Sequence, residues 1–213
     1  MDWFTQVVTA LTHVWTMQAP QALLSTDGAL SVALGIVVLA SASWVLGHAV
    51  IFGINRVTGL RMVAAVTIGI GYVALARGLM ALTVAIIVSL LAGPAIGASA
   101  GLAYLFALAP LALSVLVFIP HLGLGVGRLL EVWSVLALAA ILAQAVPIGS
   151  WAGLAIAGGA WLLGYLASRL AARPVARVTA WIWTLATGTP TFVTARDVLT
   201  GAPFIPVQRE AAR

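Results

Sequence analysis

The sequence predicts an all-α fold: a polytopic membrane bundle of about five transmembrane helices with an interfacial helix at each terminus. Three observations predict it. Of the 213 residues, 63% are hydrophobic and only 7% are charged, whereas an ordinary soluble domain carries about 25% charge. Apolar runs close to or beyond the ~20 residues that cross a bilayer recur along the chain. The connections between them are short and made of Gly, Pro, Ser and Asn, residues that end helices. A chain so poor in charge cannot clothe a water-soluble surface, so its natural solvent is lipid.

The elements follow in order. Residues 1–27 read as an N-terminal interfacial helix and linker. In "MDWFTQVVTALTHVWTM", Trp3, Val7, Leu11, Val14 and Trp15 share one helical face, with Thr5, Gln6, Thr9 and Thr12 elsewhere, as in a helix lying in the headgroup zone. The start of the chain lacks the basic region of a secretory signal, so no cleaved leader is expected. Residues 28–171 form the membrane domain. Its spans are Leu30–Ile54, Met62–Ala92, Gly101–Ile119, Val126–Val146 and Trp151–Leu170. The second is about 45 Å long as an ideal helix. It is either one strongly tilted helix or two half-helices meeting near Arg77-Gly78. "GPAIGASAG" at 93–101 reads as a turn, because Pro94 follows Gly93. Residues 172–213 form a cytoplasmic interfacial helix and tail, with Pro174 suited to a helix start and Trp181 and Trp183 to the headgroup level.

All ten basic residues are arginine. They are scattered singly, without the basic stripe that holds nucleic acid. Their placement reports orientation instead. Arg56 and Arg61 follow the first span, Arg128 follows the third, and Arg169, Arg173 and Arg177 follow the fifth, while the connections 93–100 and 147–150 hold none. Positive and neutral ends alternate. The positive-inside rule puts the N-terminus outside the inner membrane and the C-terminus in the cytoplasm. The alternation also argues that 62–92 crosses once.

Few residues could carry chemistry. The chain has no cysteine, so disulfides, thiolate metal sites and a cysteine nucleophile are excluded. "GLGVG" at 123–127 lacks both the Gly-Lys-Ser/Thr ending of a phosphate loop and the spacing of a dinucleotide loop. It reads as the tight corner between the third and fourth spans. Serines 31, 41, 43, 89, 99 and 114 lie in spans or small-residue turns, and no G-x-S-x-G elbow or carboxylate pair occurs. No enzyme activity and no cofactor are expected. Four polar residues inside the spans remain candidates: Arg77, Arg128, Glu131 and His48. Glu131 is the only acid inside any span, three residues past Arg128 on the same face, so a pair between them is expected. Arg77 sits near mid-membrane and needs a partner. His48 has no neighbour at metal-ligand spacing, and a histidine hydrogen-bonded across helices is the simpler reading than a pigment or haem ligand. Small residues four apart, Gly149, Gly153 and Ala157, then Ala160, Gly164 and Ser168, give the fifth span two close-approach faces.

The stretch "GLAYLFALAPLALSVLVFIPHLGLGVGRLLEVWSVLALAAIL" at 101–142 resembles the Yip1-like membrane proteins of bacterial type. Ala103, Tyr104, Pro110, Pro120, Leu122, Gly123 and Trp133 carry the likeness, which extends over about 30–170. It implies a five-span bundle without catalytic residues. Eukaryotic members act in membrane trafficking through a cytoplasmic N-terminal region; this chain has no such region, so only the fold is carried over. The expected role is a non-enzymatic structural or accessory subunit, or membrane-organising scaffold, whose partners are the lipid bilayer and other membrane subunits or copies of itself. The alternative is a small transporter or channel using Arg77 and Glu131.

Overall fold

The computed structural model describes residues 2–20, 27–47, 59–119, 122–145 and 149–187, with Ala145 and 171–187 described as backbone only. Among them are six α-helices, one 3-10 helix and no strand. Helix α1 is Trp3–Trp15, α2 Ala29–Gly47, α3 Gly59–Ala92, α4 Pro94–Phe106, α5 Gly123–Ala145 and α6 Ser150–Thr187, with the 3-10 helix Ala109–Phe118 between α4 and α5. Five spans are long and apolar enough to cross a membrane: α2, α3, α4 continued by the 3-10 helix, α5, and α6 to Leu170.

Local chemistry sets the boundaries. Asp2 caps α1: the Thr5 N–H donates to its carboxylate Oδ1 at 2.7 Å. The caps and breaks that follow differ from the expected ones. Helix α3 runs unbroken for 34 residues, which settles the choice at Arg77-Gly78 in favour of one continuous helix. The third span begins at Pro94, not Gly101. Gly93 alone makes the turn, at φ 100, a conformation open to glycine. Pro94 then stands in the first turn of α4, where its missing N–H costs nothing. Gly97 and Gly101 are therefore helical. They lie against Ala81, Ala85 and Ser89 of α3, so the small residues of 93–101 build a helix pair instead of an extended turn. The fourth span starts at Gly123 rather than Val126. At the C-terminal end, α6 continues through Pro174 to Thr187 without interruption, so the expected separate helix is the extension of the fifth span.

The third span is the centre of the bundle. Of its apolar window 61% is buried, against 17% in α3 and 17% in α6, which leaves those two helices at the lipid-facing periphery. The interior is built by Ile36 of α2, Phe106 of α4, Ile141 and Leu142 of α5, and Val14 of α1. Helix α1 is thus part of the core. Its face Val7, Ala10, Leu11 and Val14 is buried against the spans, a closer docking than a helix resting in the interface. Its two ends are tied down. Trp3 Nε1 donates to the Ser31 carbonyl at 3.2 Å. After α1, the Gln144 carboxamide accepts from the Ala19 N–H at 3.0 Å and donates to the Met17 carbonyl at 2.9 Å. Helix α1 thereby links the start of α2 to the end of α5.

Candidate functional site

The most unusual backbone lies inside the third span. Pro110 has no N–H, and its ring disfavours α-helix at the carbonyl four residues back. Helix α4 accordingly stops at Phe106, and the chain continues as a 3-10 helix of ten residues. Such runs rarely exceed three or four residues. Leu111 N–H now bonds the Leu108 carbonyl at 2.9 Å, which leaves the Ala107 carbonyl without its α-helical partner.

Three side chains from three other helices bond the backbone around this change. Ser134 Oγ of α5 donates to the Ala107 carbonyl at 2.6 Å. Trp15 Nε1 of α1 donates to the Ala109 carbonyl at 3.1 Å. Ser43 Oγ of α2 accepts from the Val115 N–H at 2.8 Å. Each bond contributes about 1 kcal/mol net, but leaving its buried backbone partner unsatisfied costs more. The irregular segment is therefore a supported part of the fold.

A 3-10 helix has three residues per turn, so residues three apart eclipse one another. Leu108, Leu111 and Ser114 thereby share one face, and that face borders a cavity of about 10 Å3. Helix α2 adds Ala40, Ser41 and Trp44; α3 adds Val73 and Arg77, one turn apart. The volume suits one water-sized body. Ser41 is 1% exposed, and its hydroxyl has no hydrogen-bond partner. Arg77 is half-buried and sits about 27 Å from the start of α3 and about 22 Å from its end. Gly47 of α2 packs directly on the 3-10 helix: a methyl there would lie 2.7 Å from the Ser114 carbonyl oxygen.

The structure thus brings Arg77 to a site and leaves the other candidates elsewhere. Arg128 and Glu131 are exposed on α5, away from the cavity lining. Among the described residues they form no ion pair, contrary to the expectation from their spacing. Glu131 also lies deeper than expected, because α5 begins one turn earlier: it is eight residues, or about 12 Å, past Gly123. His48 lies outside the described residues. Of the small residues on the fifth span, Gly153 packs on α5 so closely that a methyl there would lie 3.2 Å from the Ala139 carbonyl oxygen and 3.3 Å from the Ala143 nitrogen, and Ala157 is wholly buried. Gly164 faces Met80 of α3: a methyl there would lie 3.5 Å from the Met80 Cε. The helix is contacted from two sides. Gly149 differs: among the described residues no non-neighbouring atom comes within 4 Å of where its Cβ would be, and its φ of 74 marks it as the glycine that opens α6.

Sequence reasoning gave Ser41 and Ser43 no role and did not single out Ser134 or Gln144. Gln144 had a signal, being the only carboxamide within the five spans. The serines had none, because a serine in a small-residue helix reads the same whether or not it meets a broken backbone.

Five apolar spans around a buried, irregular central segment define a multi-pass integral membrane protein of all-α class. No family model, curated protein or solved structure matches the chain.

Proposed function

We propose that this is a non-enzymatic inner-membrane protein that works by lateral contact, as an accessory subunit or scaffold, with its N-terminus outside and its C-terminus in the cytoplasm. The outward face of α5 carries the reading. Arg128 and Glu131 are both exposed there, within an otherwise apolar span. Arg128 is long enough to snorkel toward the headgroups. Glu131 has two methylenes and starts about 12 Å along the helix, so it cannot. An ionisable side chain near the middle of a span costs about 2.5–3.5 kcal/mol on insertion scales. A neighbouring subunit, or a second copy, that donates hydrogen bonds or a cation to Glu131 removes that cost. Yip1-like membership is proposed for the fold alone.

The test is mild-detergent extraction of the tagged chain from native membranes, native-gel sizing and mass spectrometry of what co-migrates. A defined complex that is lost in Glu131→Leu supports the reading. A free monomer, unaffected by the substitution, sinks it. A small transporter is the second reading. The broken span beside Arg77 near mid-membrane favours it, since carriers build their sites at such breaks. Against it, Glu131 is not at the cavity, and the cavity has room for one water.

A further inference from the structure

We propose that the cavity beside the break in the third span binds a single monoatomic anion of the halide class, chloride being the common one. The lining supplies charge of one sign. The Arg77 guanidinium is permanently protonated and has only donors to offer. Among the described residues no carboxylate borders the cavity. The described acids lie elsewhere: Asp2 caps α1, Asp27 precedes α2, and Glu131 is on the outer surface of α5. A cation near mid-span needs a counter-charge, and the described residues provide none at this place.

The second observation is independent of the arginine. Ser41 is almost wholly buried, borders the same cavity and has an unused hydroxyl. Buried hydroxyls without partners are rare, and such a group calls for an unseen ion or water. Ser41 and Arg77 line one space, and a hydroxyl and a guanidinium are both groups that can donate to a single acceptor. Apart from Trp44 and Ser114, whose polar atoms can only add donors or a hydroxyl, the remaining wall is apolar, from Ala40, Val73, Leu108 and Leu111, and a low-dielectric wall screens the attraction weakly.

Size narrows the class. At about 10 Å3 the cavity takes one water-sized body. Phosphate, carboxylate and lipid headgroups are too large. A water would satisfy Ser41 and leave Arg77 uncompensated; a halide answers both.

The experiment uses the full chain in detergent in sodium gluconate, titrated with sodium chloride or bromide at constant ionic strength, and reads thermal unfolding. The expected result is a saturable rise in Tm with either halide, absent in Arg77→Gln and shifted to at least tenfold higher halide concentration in Ser41→Ala. If Arg77→Gln does not fold, Ser41→Ala decides by the same shift. Equal Tm in gluconate and chloride would mean a water-filled cavity and would overturn the proposal. So would a halide response that Ser41→Ala leaves unchanged, since the ion would then bind elsewhere. Neither result depends on whether the protein joins a complex.

Discussion

The tightest packing at any described glycine offers a sharp test of how the bundle is held together. Substituting Gly97→Ala adds one methyl where α4 meets α3. That methyl would lie 2.5 Å from the Ala85 carbonyl oxygen and 2.7 Å from the Ser89 nitrogen. Ordinary contact begins at 3.4 Å, so the helices must part locally by about 0.9 Å (3.4 − 2.5). The Ser89 side-chain Oγ lies nearer still and can rotate away, but these two atoms are backbone, and no rotamer change relieves them. Overpacking of this kind costs about 1–3 kcal/mol; the upper part of that range is expected, because the parting also loosens dispersion contacts along the most extensive helix pair in the fold. Gly101→Ala meets the Ala85 Cβ at 2.8 Å and the Ala81 carbonyl at 3.1 Å, a milder clash with a smaller expected loss. Gly78→Ala meets nothing within 4 Å. There the added methyl lowers backbone freedom in a continuous helix and is neutral or stabilising, by up to about 1 kcal/mol. The assay is reversible unfolding of the three variants in mixed micelles by SDS titration, followed by far-UV circular dichroism. The expected order of stability is Gly78→Ala, then Gly101→Ala, then Gly97→Ala. If Gly97→Ala unfolds at the same SDS fraction as Gly78→Ala, the close packing of α4 on α3 is refuted.

Two further outcomes follow from the way α1 is fastened. Gln144→Leu removes the acceptor of the Ala19 N–H and the donor to the Met17 carbonyl. Hydrogen–deuterium exchange at residues 17–19 should rise by an amount equivalent to about 1–2 kcal/mol, and unchanged protection would show that the clasp does not hold this segment. Asp2 sets a pH dependence at the other end. Its carboxylate is held below the ordinary value of 3.8, first by the side chain of Thr5 and then by the Thr5 N–H. A depressed folded value gives stability that is present above the unfolded pKa and lost as pH falls through the folded one. The first turn of α1 should therefore stay protected at neutral pH and fray only below 3.8, measured by exchange of the Thr5 amide; Asp2→Asn should abolish that acid dependence.

Much of the fold was legible because the signals are long. Twenty apolar residues between helix breakers are hard to misread, and Arg56, Arg61, Arg128 and Arg169 alternate with charge-free connections. The number and order of the spans follow from those two patterns. Boundaries were less legible where one residue type serves two ends. Gly93-Pro94 begins a helix as readily as it makes a turn, and only the presence of Ala81, Ala85 and Ser89 opposite Gly97 and Gly101 decides between them. Pro174 had the same ambiguity and lies inside α6. The site was half legible. Arg77 stands out by its charge at mid-span, whereas Ser41 gains meaning only when the 3-10 helix is placed beside it.

The break in the third span links these observations. Pro110 alone would end a helix, and in lipid a freed carbonyl has no water to turn to. The break can stand only where other helices deliver hydrogen-bonding groups, and that need explains three otherwise scattered residues. Trp15, Ser43 and Ser134 come from three different elements and converge on 107–115. It also explains why α1 is drawn into the bundle: the Trp15 indole must reach the Ala109 carbonyl, and burying Val14 and Leu11 brings it there. The change from α to 3-10 geometry then alters the side-chain repeat from about 3.6 to 3.0 residues per turn. A continued α-helix would carry Leu108, Leu111 and Ser114 progressively around its axis; the 3-10 helix stacks them toward Ser41 and Arg77. One proline thus creates both the demand for support and the surface of the cavity. If that reasoning holds, Pro110→Ala should restore α-helix through 107–111 and lose the cavity response to halide together, two effects that would separate if the cavity owed nothing to the break.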